Sequence, residues 1–222
     1  MTDSAVILDC DGTLADSEPL SRRAWELALV PFGYAVTRAD LAACLGRTYA
    51  HTHAYFAARA SLPDLEAFWP LLTGELYPLL DRELRAFPDA VSAVEQLASR
   101  GIPMAVASSS SRERLERTLS RAGLADAVAI TVAGDEVARG KPEPDMFLEA
   151  ARRLGADPDR CTVVEDSPAG VTAGRRAGMV VVGVARSDEA AAQLHEADVV
   201  LGELTADALL AAERADRAVD RP

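Results

Sequence analysis

The chain has 222 residues, enough for one or two domains and for a hydrophobic core that needs no disulfide or metal staple. Lys plus Arg number 23 against 35 Asp plus Glu, and the resulting formal charge of −12 argues against a general nucleic-acid binder or a protein docked on anionic membrane, both of which need a basic surface. Cys10, Cys44 and Cys161 show no CxxC or zinc spacing, Met1-Thr2-Asp3-Ser4 lacks a basic leader, and the apolar run 179–185 is far too short to span a bilayer, so a reduced, cytoplasmic protein is expected.

In chain order, a short apolar β-rich run at 5–9 ends in Asp-Gly-Thr, and Ser17, Glu18 and Pro19 then start a helix. Residues 17–87 hold no convincing strand. Helical patches recur at 20–29, 38–45, 50–60 and 65–84, punctuated by Pro31, Gly46, Pro63 and Pro88. Trp25, Phe32, Tyr34, Tyr49, Tyr55, Phe56, Phe68, Trp69 and Tyr77 all fall in this stretch, an aromatic supply suited to a small helical core. Beyond it, helices and strands alternate. Helices are expected at 88–99, 112–122, 144–154, 169–177 and from Thr205, with strands at 102–107, 128–132, 162–164, 180–184 and 198–201. The charged tail 213–222 is expected to fray. The expected fold is α/β, a Rossmann-like doubly wound parallel sheet formed by 1–16 and 87–222, with an all-helical domain, 17–86, inserted after the first strand.

Open parallel sheets bind ligands at the carboxyl ends of their strands, so those positions carry the chemistry. Past the first strand stand Asp9, Cys10, Asp11, Gly12 and Thr13; carboxylates at i and i+2 share one side of an extended segment, and Gly12 permits a sharp turn. Past the next stands Ser108, then Ser109, Ser110, Ser111 and Arg112, hydroxyls and amides suited to an anion. Lys141 sits between Gly140 and Pro142, in a segment stiffened by Pro142 and Pro144. Glu165 and Asp166 follow the strand 162–164, and adjacent carboxylates there are easiest to explain around a cation. Read singly, each of these is also a plain turn, helix cap or surface loop. The chain has neither a P-loop nor a GxGxxG.

Together, Asp9-Cys10-Asp11-Gly12-Thr13-Leu14, Ser108, Lys141 and Glu165-Asp166-Ser167 resemble the four ordered motifs of the haloacid dehalogenase-like superfamily. The helical insertion is similar to the cap of its phosphoglycolate phosphatase and β-phosphoglucomutase branch. The resemblance implies a phosphatase acting on a small phosphorylated metabolite (a sugar, sugar-acid or polyol phosphate), with Mg²⁺ as cofactor. It implies Asp9 as nucleophile forming an aspartyl-phosphate, Asp11 as general acid and base, and Ser108 and Lys141 as holders of the phosphoryl oxygens. Asp9, the Asp11 backbone carbonyl, Asp166 and Glu165 (directly or through water) would hold the metal. Gly46 and Arg47 in the cap, with Ser109 and Arg112 in the core, are the expected substrate contacts; Arg114 could reach the same anionic group, but i and i+2 spacing lets only one of the two arginines face the site. A monomer or weak dimer is expected.

The alternative is a sugar-phosphate mutase. Against it, Ser21 falls where mutases of this branch carry a cap histidine. A phosphorylatable receiver domain would be about half this length and would have no counterpart of Asp11. Cys10, where Phe or Leu is commoner, reads as a small buried side chain, and His51, His53 and His195 as non-ligands.

Overall fold

The computed structural model describes residues 4–44 and 48–218. The chain divides into two compact units, one formed by Met1–Asp16 with Arg85–Pro222 and the other by Ser17–Leu84.

The first unit is built on a six-stranded, all-parallel sheet. Its strands are β1 (Ala5–Leu8), β2 (Met104–Ser108), β3 (Ile130–Ala133), β4 (Cys161–Glu165), β5 (Val180–Val184) and β6 (Val199–Leu201), in the spatial order β3-β2-β1-β4-β5-β6. The order reverses direction at β1, which has β2 on one side and β4 on the other. Strands β1, β2, β4 and β5 are buried throughout, which explains why they read as continuous apolar runs rather than alternating ones.

Alternate residues of β1 feed two cores. Val6 and Leu8 pack with α5 (Pro88–Ser99) through Ala93, Val94 and Leu97, with α6 (Arg112–Ala122) through Leu115 and Leu119, and with α10 (Ala206–Ala218) through Leu209. Ala5 and Ile7 pack on the other face with α7 (Asp145–Leu154) through Met146, Phe147 and Ala150, and with α8 (Pro168–Arg176) through Val171 and Ala173. Helices on both faces of a parallel sheet are the doubly wound arrangement expected from the alternation of elements. The helix α10 runs on to Ala218, through the start of the tail expected to fray.

Among its described residues the second unit holds the α-helices α1 (Glu18–Leu29), α2 (Arg38–Cys44), α3 (Tyr49–Ala57) and α4 (Leu65–Glu83). Trp25 of α1 is its centre, with ring centroids 5.4 Å from Phe68, 5.5 Å from Phe56 and 6.4 Å from Tyr49. Such aromatic pairs add about 0.5–1.5 kcal/mol each beyond their buried area. Thr48 and Asp64 cap α3 and α4 by accepting from the backbone N–H of His51 and Ala67. Helix α4 continues through Pro70 and Pro78, each of which forfeits one backbone hydrogen bond. His51 Nδ1 meets Thr48 Oγ1 and His53 Nε2 meets the Pro63 carbonyl, so both rings serve local structure. Among the described residues, no helix is long and apolar enough to cross a membrane.

Where the chain leaves and rejoins the α/β unit, Asp16 N–H donates to the Arg85 carbonyl at 3.0 Å and Phe87 N–H to the Leu14 carbonyl at 3.0 Å. Arg85 and Ala86 are thereby tied to the loop after β1.

Candidate active site

Strand register assembles the site. Leu8 is level with Val106 on β2 and with Val164 on β4, so Asp9, the next residue, is level with Ala107 and Glu165. Asp9 N–H donates to the Val164 carbonyl at 2.9 Å, which anchors the residue at the switch point of the sheet.

Lys141 arrives from the loop before α7 and fills the space between these strand ends. Its Nζ lies 2.5 Å from Asp9 Oδ1 and 2.5 Å from Glu165 Oε1, and 3.3 Å from the Ala107 carbonyl. All three side chains are withdrawn from solvent, with exposures of 6% for Lys141, 8% for Asp9 and 0% for Glu165. Burial alone would neutralise the lysine, but Asp9 and Glu165 outweigh it and raise its proton affinity above the ordinary value.

Glu165 is held from both ends. Its Oε2 accepts from the backbone N–H of Asp166 and Ser167, each at 3.0 Å, and from the Ser167 hydroxyl at 2.9 Å. Gly170 makes room for it, since a Cβ there would lie 1.8 Å from Glu165 Oε1. Asp166 stands against the first loop in the same way. A Cβ on Gly12 would lie 1.9 Å from Asp166 Oδ2, and Gly12 also has φ of +87°, a left-handed conformation.

Asp9, Glu165 and Asp166 each present an oxygen within 4.8 Å of the others, which makes them a candidate metal centre. Burial, followed by the negative charges of Asp9 and Glu165, pushes the Asp166 carboxyl well above its ordinary range. Burial likewise raises Asp9, against the pull of Lys141. Three carboxylates against one ammonium leave an excess of two negative charges. An all-oxygen donor set with that deficit fits a hard divalent cation such as Mg²⁺, which takes one or two carboxylates and keeps several waters.

Asp11 stands apart from that cluster. Its Oδ1 accepts from Arg114 Nη2 at 2.7 Å, while Oδ2 accepts from Ser110 Oγ at 2.7 Å and Ser108 Oγ at 3.2 Å. The Asp11 side chain is 25% exposed and that of Arg114 only 7%. Cys10 lies between the two aspartates fully buried, and burial, with both carboxylates nearby, pushes its thiol well up, so it is no thiolate nucleophile.

The structure thus gathers Asp9, Asp11, Ser108, Lys141, Glu165 and Asp166 at the carboxyl ends of β1, β2 and β4. Arg112 requires a correction. Its guanidinium is engaged by Glu136 Oε1 at 2.8 Å and Thr131 Oγ1 at 2.7 Å, away from Asp11, because positions i and i+2 of a helix point in different directions. Arg114 is the arginine that turns inward. Ser109 is exposed, and its backbone packs so closely on Gly134 that a Cβ there would lie 2.3 Å from the Ser109 carbonyl oxygen. Gly46 and Arg47 lie outside the described residues. Ser110 was not singled out as a site residue from sequence, and of Arg112 and Arg114, only one of which can face the site, Arg112 was the one expected there. The available signal was the buried face of α6, where Arg114 shares a side with Leu115, Thr118 and Leu119.

Known proteins resemble this chain over most of its length. The signature of the haloacid dehalogenase-like hydrolases matches residues 4–178. Hexitol phosphatase A of Escherichia coli (strain K12) is 36% identical over 199 residues, spanning 89% of this chain and 90% of that one. The bifunctional riboflavin kinase/FMN phosphatase of Arabidopsis thaliana is 34% identical over 186 residues, 82% of this chain, and the match spans 48% of that longer protein. Among solved structures, a putative β-phosphoglucomutase from Thermotoga maritima superposes with a TM-score of 0.75 at 29% identity, over 97% of this chain and 99% of that one. The chain belongs to the haloacid dehalogenase-like hydrolases.

Proposed function

We propose that this hydrolase is a Mg²⁺-dependent phosphatase of small phosphorylated metabolites, with sugar and polyol phosphates as the favoured class, acting through an aspartyl-phosphate on Asp9. The observation that carries the reading is Asp9 itself, a buried carboxylate at the switch point of the sheet, with the Lys141 ammonium on one oxygen and Asp11 two residues on.

In the first half-reaction an Asp9 carboxylate oxygen attacks phosphorus and the bond from phosphorus to the substrate oxygen breaks. Asp11 gives its proton to the departing alcohol, a contribution of about 10²- to 10⁴-fold. In the second half, water attacks the phosphoryl group on Asp9, Asp11 takes the proton, and phosphate leaves with Asp9 restored as a carboxylate. Lys141 and the Ser108 hydroxyl hold the phosphoryl oxygens, whose charge is spread in the transition state, so positioning and countercharge carry most of the catalysis. Asp9 and Asp166 would hold Mg²⁺ together with the Asp11 backbone carbonyl, and Glu165, the partner of Lys141, would contribute directly or through water. When bound, the metal supplies countercharge that lets an anionic nucleophile approach an anionic ester.

The helical unit is assigned the role of a cap that selects the substrate. Hexitol phosphatase A supports a polyol or sugar phosphate. The mutase reading is set aside because position 21 is a serine whose hydroxyl donates to the Ser17 carbonyl at 3.1 Å, leaving no imidazole there for proton transfer. The test is a phosphate-release screen over phosphorylated sugars, polyols, sugar acids and nucleotides, with and without Mg²⁺. Release from several sugar or polyol phosphates supports the reading. Isomerisation without phosphate release would overturn it.

A further inference from the structure

Arg114 is the residue of the site that neither the motifs nor the proposed reaction explains. Burying a guanidinium is expensive unless it is paired, yet its side chain is 7% exposed on the inner face of α6, in register with Leu115, Thr118 and Leu119. Its Nη2 donates to Oδ1 of Asp11, at 2.7 Å. The other carboxylate oxygen meets different chemistry, the hydroxyls of Ser110 and Ser108 at 2.7 and 3.2 Å. A guanidinium can only donate, so the oxygen it touches is a permanent acceptor. A hydroxyl can turn to accept as readily as it donates, so the oxygen facing Ser108 and Ser110 is the one able to carry a hydrogen.

We infer that Arg114 is a positioning residue for Asp11, pinning Oδ1 so that the carboxyl group keeps one orientation and offers Oδ2 to the leaving group and to water. The inference rests on the proposed acid and base role of Asp11. Ser108 and Ser110 complete the arrangement, and Ser110 N–H donates to Ser108 Oγ at 3.1 Å, which couples the two hydroxyls. A side chain that drifts by about 1 Å loses about 10²-fold in rate, so loss of the pin should appear in steps that need proton transfer and spare those that do not.

The test compares two substrates in the first turnover. Phosphorylation by p-nitrophenyl phosphate expels a leaving group that departs without a proton, whereas an alkyl phosphate such as glycerol phosphate must receive one. With the Mg²⁺-loaded enzyme, Arg114→Met is expected to lower the first-turnover rate on the alkyl phosphate by about 10²-fold. The p-nitrophenol burst should change by less than about 3-fold, and the substrate concentration giving half the maximal first-turnover rate should hold within the same range for both substrates. Arg114→Lys keeps a buried cation, and should show the same selective loss at smaller size; it carries the test if the methionine variant does not fold. Asp11→Asn in the same assay isolates the underlying reading. If it spares the alkyl-to-aryl rate ratio, the acid role of Asp11 fails, and the inference fails with it. If Asp11→Asn collapses that ratio while Arg114→Met and Arg114→Lys slow both substrates equally, or slow neither, Arg114 is structural and the inference alone is overturned.

Discussion

The Lys141 ammonium lies 2.5 Å from Oε1 of Glu165, a carboxylate with no solvent exposure. One cation therefore braces Glu165 and Asp9 at once. Removing one partner of a buried pair typically costs about 3–5 kcal/mol, because the other charge is left uncompensated. Lys141→Met is accordingly expected to abolish turnover and to destabilise the fold by about that amount, measured by urea unfolding. A variant as stable as the wild type would show that the three groups do not depend on one another.

Gly12 couples two loops through contact. A methyl group there would collide with Asp166 and would also have to adopt a left-handed backbone, which costs about 1–3 kcal/mol in a non-glycine residue. Gly12→Ala should therefore lose at least about 100-fold in kcat and weaken Mg²⁺ binding, the first read by phosphate release and the second by isothermal titration. Intact metal binding in this variant would dissociate Gly12 from Asp166.

Metal removal should be visible in stability as well as activity. EDTA is expected to stop phosphate release, and Mg²⁺ to restore it. Saturation at about 100 times Kd should stabilise the wild type by about 2.7 kcal/mol in thermal or urea unfolding, with little effect on Asp166→Asn. An equal response in that variant would place the metal elsewhere.

The helical unit has its own pH signature. Burial would raise Asp40, but hydrogen bonds from the Thr37 hydroxyl and backbone, and from the Tyr55 and Tyr34 hydroxyls, outweigh it and hold the carboxyl at about 2. The folded value lies below the unfolded one of 3.8, so the stabilisation is fully present above that value and is lost as pH falls from about 4 towards about 2. Asp40→Asn should be less stable than the wild type by about 1 kcal/mol at neutral pH, with the gap closing across that acid window in urea titrations. A gap independent of pH would mean that the carboxylate charge is not what matters.

The parts of this molecule legible in its sequence are those set by strong local patterns. Uninterrupted apolar runs such as Val180–Val184 announced strands buried on both faces, and the residues just past them marked the site. Legibility ended where tertiary contact decides. Arg112 and Arg114 are equivalent by composition, and only the packing of Leu115 and Leu119 turns Arg114 inward. Ser110 joined the site because its backbone carbonyl is fixed by Gly134 N–H at 2.8 Å, a contact between distant segments. The short helix α9 (Asp188–Gln193) escaped notice because six residues, capped by Ser187, carry too little periodicity to register.

Acid quench of the wild-type enzyme during turnover of a sugar or polyol phosphate, followed by peptide mapping, tests the central claim most directly. One phosphoryl group on the peptide containing Asp9, absent from Asp9→Asn together with all phosphate release, is the expected result. Undiminished turnover in Asp9→Asn would contradict the account.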